Sequence, residues 1–95
     1  MDIEDCLNQG LLRKDKGNMN KARKSIEIAK KKLNTAIKMV DLGLFEDSLA
    51  NIYSSMFHAS RAILFRDGIK EKSHYAVYVY MKEKYGNLIE KRFLI

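Results

Sequence analysis

The sequence predicts an all-α fold, an up-and-down antiparallel helical bundle of the four-helix type. Three observations predict it. None of the 95 residues is proline, and Lys, Glu, Ala, Leu, Ile and Met are plentiful, so helix is favoured over a turn-rich sandwich. Ala22, Ile26, Ala29, Leu33, Ala36 with Ile37, and Val40 recur at spacings of 4, 3, 4, 3 and 4, a one-sided helical stripe. A second apolar helical segment then follows after two or three residues, and so short a connection makes antiparallel neighbours.

Residues 1–17 form a lead-in, and residues 18–95 form the bundle of a single domain. Ile3, Cys6, Leu7 and Leu11 give residues 2–12 a weak helical pattern, and Gly10 and Gly17 bracket a basic loop. The first strong helix runs from about Asn20 to Leu42. Asn18 or Asn20 can cap its start, and Gly43 suits the left-handed position that ends it.

The second helix opens with Glu46 and Asp47 in its first turn and continues to Arg66, with Gly68 as its stop. Leu49, Ile52, Tyr53, Met56, Phe57, Ala59, Ala62, Ile63, Leu64 and Phe65 make it apolar nearly all round, so it is buried on more than one side. Its small residues, Ala50, Ser54, Ser55, Ala59 and Ser60, let another backbone come close. Either it is central to the bundle or its second face is a subunit interface.

Gly68–Ser73 reads as a polar loop, and Ser73 as the cap of a third helix from His74 to Tyr85. The alternation in Tyr75–Tyr80 is also strand-like. Helical spacing of Val77, Tyr78, Met81 and Tyr85, and the lack of a strand partner elsewhere, favour helix. Gly86-Asn87 reads as a break, after which a fourth element begins. Leu88, Ile89, Phe93, Leu94 and Ile95 crowd the last eight positions. Such a patch needs cover, so a partner or a continuation of the domain past Ile95 is expected, the continuation being the favoured reading.

The net charge of +6 is local. Nine bases and two acids between Arg13 and Lys32 carry +7, leaving −1 for the rest. Lys21, Lys24, Lys30, Lys31 and Lys32 form the basic patch of this run. It is either a solvated helix face or a footprint for phosphates. With no aromatic inside it, it would attract a nucleic-acid backbone without reading sequence. One cysteine cannot form an internal disulfide, no apolar run reaches 18 residues, and residues 1–17 have no signal-like core. The expected setting is the cytoplasm.

No metal-ligand, dinucleotide, P-loop or nucleophile-elbow motif occurs, and two histidines with one cysteine make a poor zinc set, so neither metal nor cofactor is expected. His58 shares a helix face with Arg61 and reads as a buried imidazole bonded to a carbonyl or hydroxyl. His74, after the Ser73 cap, can anchor a loop or donate to a phosphate. Arg61 on an apolar helix wants an anionic partner: Asp67, Glu46, a neighbouring chain or a phosphate.

The run Tyr53-Ser-Ser-Met-Phe-His-Ala-Ser-Arg-Ala-Ile-Leu-Phe65, followed by Arg-Asp-Gly-Ile-Lys-Glu-Lys-Ser-His74, resembles the HEPN (higher eukaryotes and prokaryotes nucleotide-binding) domain, in its small prokaryotic and archaeal branch. The likeness covers about residues 1–85 and includes the Leu42–Ala50 turn. It implies a helical bundle that dimerises and that binds a minimal nucleotidyltransferase in a toxin–antitoxin-like pair. It also implies nucleotide or RNA binding, and His58, Arg61, Lys72 and His74 are the candidates for binding nucleotide, RNA or a protein partner. Active members of the family are metal-independent ribonucleases with an Arg-x4–6-His motif. Here Arg61 and His74 are separated by 12 residues and Arg66 and His74 by 7, so that catalytic role does not carry over. The alternatives are a ribonuclease toxin whose motif lies beyond Ile95 and a helical adaptor with no nucleic-acid role.

Overall fold

A computed structural model describes the backbone of residues 1–93 and the side chains of residues 1–87. Four helices and a two-stranded ribbon follow one another as α1 (Ile3–Asn8), β1 (Leu12–Lys14), α2 (Met19–Asp41), α3 (Phe45–Asp67), β2 (Ile69–Glu71) and α4 (His74–Phe93). The all-α expectation holds.

The end signals read from the sequence are used. Asn18 accepts from the Lys21 N–H at 2.9 Å, Gly43 takes φ +77° after α2, and Ser73 Oγ accepts from the Ala76 N–H at 3.1 Å. At the other end of the chain, Asp2 and Asp5 form a reciprocal capping box on α1. Gly68 ends α3 at φ +74°, and a Cβ there would sit 2.6 Å from the Asp15 carbonyl oxygen, so both conformation and space demand glycine.

The apolar stripe of α2 behaves differently from its sequence reading. Only its small members Ala22, Ala29 and Ala36 are buried, together with Ser25, while Ile26, Leu33, Ile37 and Val40 stay 38–54% exposed. The reason lies across the interface, where α3 offers Ser48, Ser55 and Ala62, also seven residues apart. Ser48 Oγ donates to the Ala36 carbonyl at 3.0 Å and Ser55 Oγ to the Ala29 carbonyl at 2.8 Å. Hydroxyl-to-backbone bonds between helices require close axes, and close axes push large side chains to the flanks. The second helix is correspondingly not buried all round: Leu49, Tyr53 and Met56 are 59–65% exposed.

Two further readings are corrected. The basic loop and the polar loop contain the antiparallel ribbon, with Leu12 opposite Glu71, Arg13 opposite Lys70 and Lys14 opposite Ile69. Flanking bonds from Asp15 N–H to Gly68 O and from Lys72 N–H to Leu11 O, both 2.8 Å, extend it. Strands of three residues are too short for a period-two pattern to register. Helix α4 also runs through Gly86-Asn87 without a break. A mid-helix glycine costs only about 1 kcal/mol, which neighbouring helical turns absorb. The apolar residues from Leu88 onward lie outside the described side chains.

The main core gathers at one end of the hairpin. Cys6, Leu12, Leu64, Ala76, Val77, Val79 and Tyr80 are buried there, with Phe57, Ile69 and Tyr85 packed around them. The Ile3 N–H donates to Glu83 at 2.7 Å and ties α1 to α4. Burial holds the Cys6 thiol above its usual pKa, helped by the nearby Asp5. The turn end of the α2–α3 hairpin extends beyond this core.

The seam generates a stability prediction. Ala29→Leu should overpack it and destabilise the protein by about 2 kcal/mol, a fall of roughly 10 °C in Tm by circular dichroism. Thr35→Leu, on the outer face of the same helix, should change stability by less than about 0.5 kcal/mol. Equal effects would show that the seam is not tightly packed.

Candidate functional site

Helix α3 sets Phe57, Arg61 and Phe65 on one stripe, four residues apart, and His58 beside it. The ribbon lies against this stripe. Arg61 Nε is 2.7 Å from Glu71 Oε1, with the two side chains 32% and 12% exposed. The carboxylate sits off the N–H direction, so the pair is a coulombic contact rather than a linear hydrogen bond. The guanidinium carbon stands 5.2 Å from the Phe65 ring centre and 5.9 Å from that of Phe57. Two aromatic faces and one carboxylate thus hold the cation in place.

Between the ribbon, the start of α2 and α3 lies a cleft of about 450 Å³, lined by Asp15, Lys16, Asn18, Lys21, Arg61, Phe65, Ile69, Lys70 and Glu71. Four cations face two carboxylates there. Lys21 Nζ lies 5.9 Å over the Phe65 ring. Glu71 neutralises part of Arg61, and the three lysines are exposed, so the cleft keeps an excess of two positive charges. A small anionic group can enter, meeting point charges at the rim and a planar donor at the base.

His58 sits on the α2 side of Arg61. Its Nδ1 is buried and has no hydrogen-bond partner among the described residues, where the sequence reading expected a carbonyl or hydroxyl. Burial, with Arg61 and Lys32 adding repulsion, holds its pKa below the usual histidine value. His74 is exposed and packs on Phe57, ring centres 4.1 Å apart, with Tyr53 at 6.4 Å. Lys72 is exposed, and only its backbone N–H is engaged. The structure therefore brings His58 and Arg61 together, joins His74 to them through Phe57, and leaves Lys72 apart.

The basic patch is divided in the same way. Lys21 borders the cleft and Lys32 approaches His58. Lys30 lies with Arg23 on the opposite flank of α2, while Lys24 and Lys31 point outward. Lys70, Asp15 and Glu71 escaped the sequence reading. Only the ribbon pairing brings them to the cleft, and no local signal announced it.

Asp67, one of the partners expected for Arg61, is used elsewhere. It accepts from Tyr80 and Tyr85 at 2.8 Å each and from Arg66 Nε at 3.0 Å. Burial alone would raise its carboxyl pKa, but these bonds outweigh it and hold it low. Burial and the bond to Asp67 push the Tyr80 hydroxyl well up. This network pins the end of α3, and so the floor of the cleft, to α4. Among the described residues, no group of three His, Cys, Asp or Glu side chains could hold a metal ion.

The model of the HEPN domain matches residues 22–93, which takes in α2 from Ala22 onward, α3, β2 and α4. The chain belongs to the HEPN domain family. A UPF0332 protein of Pyrococcus horikoshii is 37% identical over 54 residues, covering 57% of this chain and 38% of the relative. A protein of Methanocaldococcus jannaschii named "Putative toxin" is 30% identical over 78 residues, covering 72% of this chain and 58% of its own length. The HEPN chain thus spans about two fifths and somewhat over half of these two relatives. No solved structure matches it. Within the HEPN match lie Arg61, His58, Phe57 and Glu71, whereas Asp15, Lys16 and Lys21 of the cleft precede it.

The depressed His58 pKa has a defined consequence. Below the usual histidine pKa near 6.5 the unfolded chain takes up a proton that the folded His58 resists, so stability falls as pH drops from about 6.5. Thermal melts at pH 7.5 and 5.5 should show a lower Tm at pH 5.5. His58→Leu should flatten that difference. An unchanged pH slope in the variant would place the sensitivity elsewhere.

Proposed function

We propose that this chain is the HEPN module of a toxin–antitoxin-like pair and that it works by binding rather than catalysis. It self-associates, is engaged by a minimal nucleotidyltransferase-type protein, and holds the phosphates of RNA or of a nucleotide in the cleft at Arg61. The observation that carries the reading is the cleft itself, where aromatic-flanked Arg61 is backed by Lys16, Lys21 and Lys70. The M. jannaschii relative, whose name reads "Putative toxin", supports the wider context. The cytoplasm is the setting proposed, since Cys6 is a free thiol and no described helix is long and apolar enough to cross a membrane.

Within the cleft, Glu71 and the rings of Phe57 and Phe65 fix the plane of the Arg61 guanidinium. Its remaining N–H donors can then meet two oxygens of one phosphate. The lysines add charge without geometry, which favours backbone attraction over base reading. His74, stacked on Phe57, and Arg61, paired to Glu71, are each committed to packing. Neither is set up as half of an acid–base pair.

Fluorescence anisotropy with a labelled 12-nucleotide single-stranded RNA tests the binding. Affinity should fall between 25 and 200 mM KCl with a log–log slope of about −2 to −3, as expected for three or four phosphates on a single strand. Lys16→Gln/Lys21→Gln/Lys70→Gln should bring the slope close to zero, whereas Lys24→Gln/Lys31→Gln should barely alter it. The RNA should be recovered intact without metal. Salt-independent binding, an equal effect of both variants, or cleavage would each overturn the reading. The partner proposal is checked by co-elution with a minimal nucleotidyltransferase encoded beside this reading frame, and separate elution would refute it.

A further inference from the structure

The stripe of α3 that carries Arg61 continues past the cleft. Tyr53 and Phe57 precede Arg61 at four-residue steps, and α4 sets His74, Tyr78 and Lys82 at the same step. Between the two helices lies a groove of about 460 Å³, walled by Tyr53, Met56 and Phe57 on one side and His74, Tyr78 and Met81 on the other. Phe57 joins it to the cleft: the Phe57 ring centre stands 5.9 Å from the Arg61 guanidinium carbon and 4.1 Å from the His74 ring centre.

The walls of this groove are large groups left in the open. Tyr53, Met56 and Tyr78 are 57–65% exposed. Both tyrosine rings are already braced. Tyr53 lies 6.4 Å from His74 at 38°, and Tyr78 lies 6.2 Å from Tyr75 at 35°, with Lys82 Nζ 5.8 Å from the Tyr78 ring centre. A ring held in place loses little freedom when a second ring stacks on it. Among the described residues no carboxylate lines the groove, so nothing there repels a polyanion, and every nucleobase has a π-face to offer such rings. The size suits a small planar group. One turn of a helix, about 5.4 Å long and about 10 Å across, fills roughly 420 Å³, so a partner helix would seat little more than a single turn. Sites for small ligands run from about 300 to 1,000 Å³.

The spacing to the cleft fits one strand. Tyr53 lies eight residues before Arg61, about 12 Å along the helix. A strand advances at least about 3.4 Å per nucleotide, so one whose phosphates sit at Arg61 reaches the groove within about four nucleotides.

We infer that this groove is a base-stacking subsite for single-stranded RNA, in which Tyr53 and Tyr78 take bases of the strand whose phosphates sit at Arg61. The inference rests on the RNA binding proposed above and gives the strand a course along α3, from Phe65 toward Tyr53. Stacking accepts any base, so the subsite adds affinity without reading sequence.

The 12-nucleotide RNA and an abasic strand with the same phosphates separate the two halves of the site. By fluorescence anisotropy in 25 mM KCl, Tyr53→Ala/Tyr78→Ala should weaken RNA binding at least about tenfold and leave the salt slope unchanged, whereas Tyr53→Phe/Tyr78→Phe should stay within about twofold of the wild type. The wild type should bind the abasic strand as weakly as the alanine variant binds RNA. Helical circular dichroism should not change, because both tyrosines are more than half exposed. An alanine variant that binds RNA as tightly as the wild type, with the salt slope intact, would overturn the groove and leave the phosphate site standing. If that variant also lost co-elution with the nucleotidyltransferase, the groove would belong to a protein partner instead. A loss that phenylalanine does not rescue, or an abasic strand bound as tightly as RNA, would overturn stacking. No RNA binding by the wild type in 25 mM KCl would overturn both this inference and the reading on which it rests.

Discussion

Everything else in the molecule is arranged around the alanine and serine seam between α2 and α3. Ala22, Ala29 and Ala36 face Ala62, Ser55 and Ser48 in one antiparallel register, and two serine hydroxyls reach across to backbone carbonyls. A seam built on small side chains excludes bulk from the middle of the hairpin. The large residues of both helices therefore have to leave on one flank or the other. On one flank they meet the ribbon and α4, and the core and the cleft form there. On the other they remain uncovered by any described residue. A seam of leucines would have hidden those residues and moved the axes apart, so the open face and the close seam have one cause.

What the sequence revealed divides along the same physical line. The helix ends were legible because capping is local: Asn18, Gly43, Gly68 and Ser73 act on backbone within a few positions. The periodicity of α2 was legible too, but not which of its members would be buried. That depends on residue size on α3, 26 positions away at Ser55 and Ala29. The ribbon was invisible because each of its strands has three residues and its partner lies more than fifty positions along the chain. Gly86 was read as a break because glycine is a poor helix former. Its penalty is small beside the rest of a 20-residue helix.

The candidate site shows the same division. Arg61 stood out as a cation on an apolar helix, and the need for an anionic partner followed from elementary electrostatics. That the partner is Glu71, not Asp67, follows from the ribbon, which presents Glu71 while Tyr80, Tyr85 and Arg66 occupy Asp67. The basic run was legible as a charge excess. Its partition was not, because helical geometry sends neighbouring lysines in different directions. Lys21 and Lys32 go to the cleft side, and Lys30 goes with Arg23 to the apolar face. One stretch of positive charge thus borders two flanks of the hairpin.

Cys6 sits wholly inside the core formed by α1, β1, α3 and α4, with its thiol held in the protonated form. An alkylating reagent can reach that sulfur only while α1 is lifted from α4 and the bond from Ile3 to Glu83 is broken. The chain therefore carries a built-in chemical clock. When reclosure outpaces modification, the labelling rate measures how often the amino-terminal segment opens, and its ratio to the rate of a free thiol gives the free energy of that local opening. Since α1 leads directly into β1 and β1 walls the cleft through β2, the same clock reports on how firmly the floor beneath Arg61 is held.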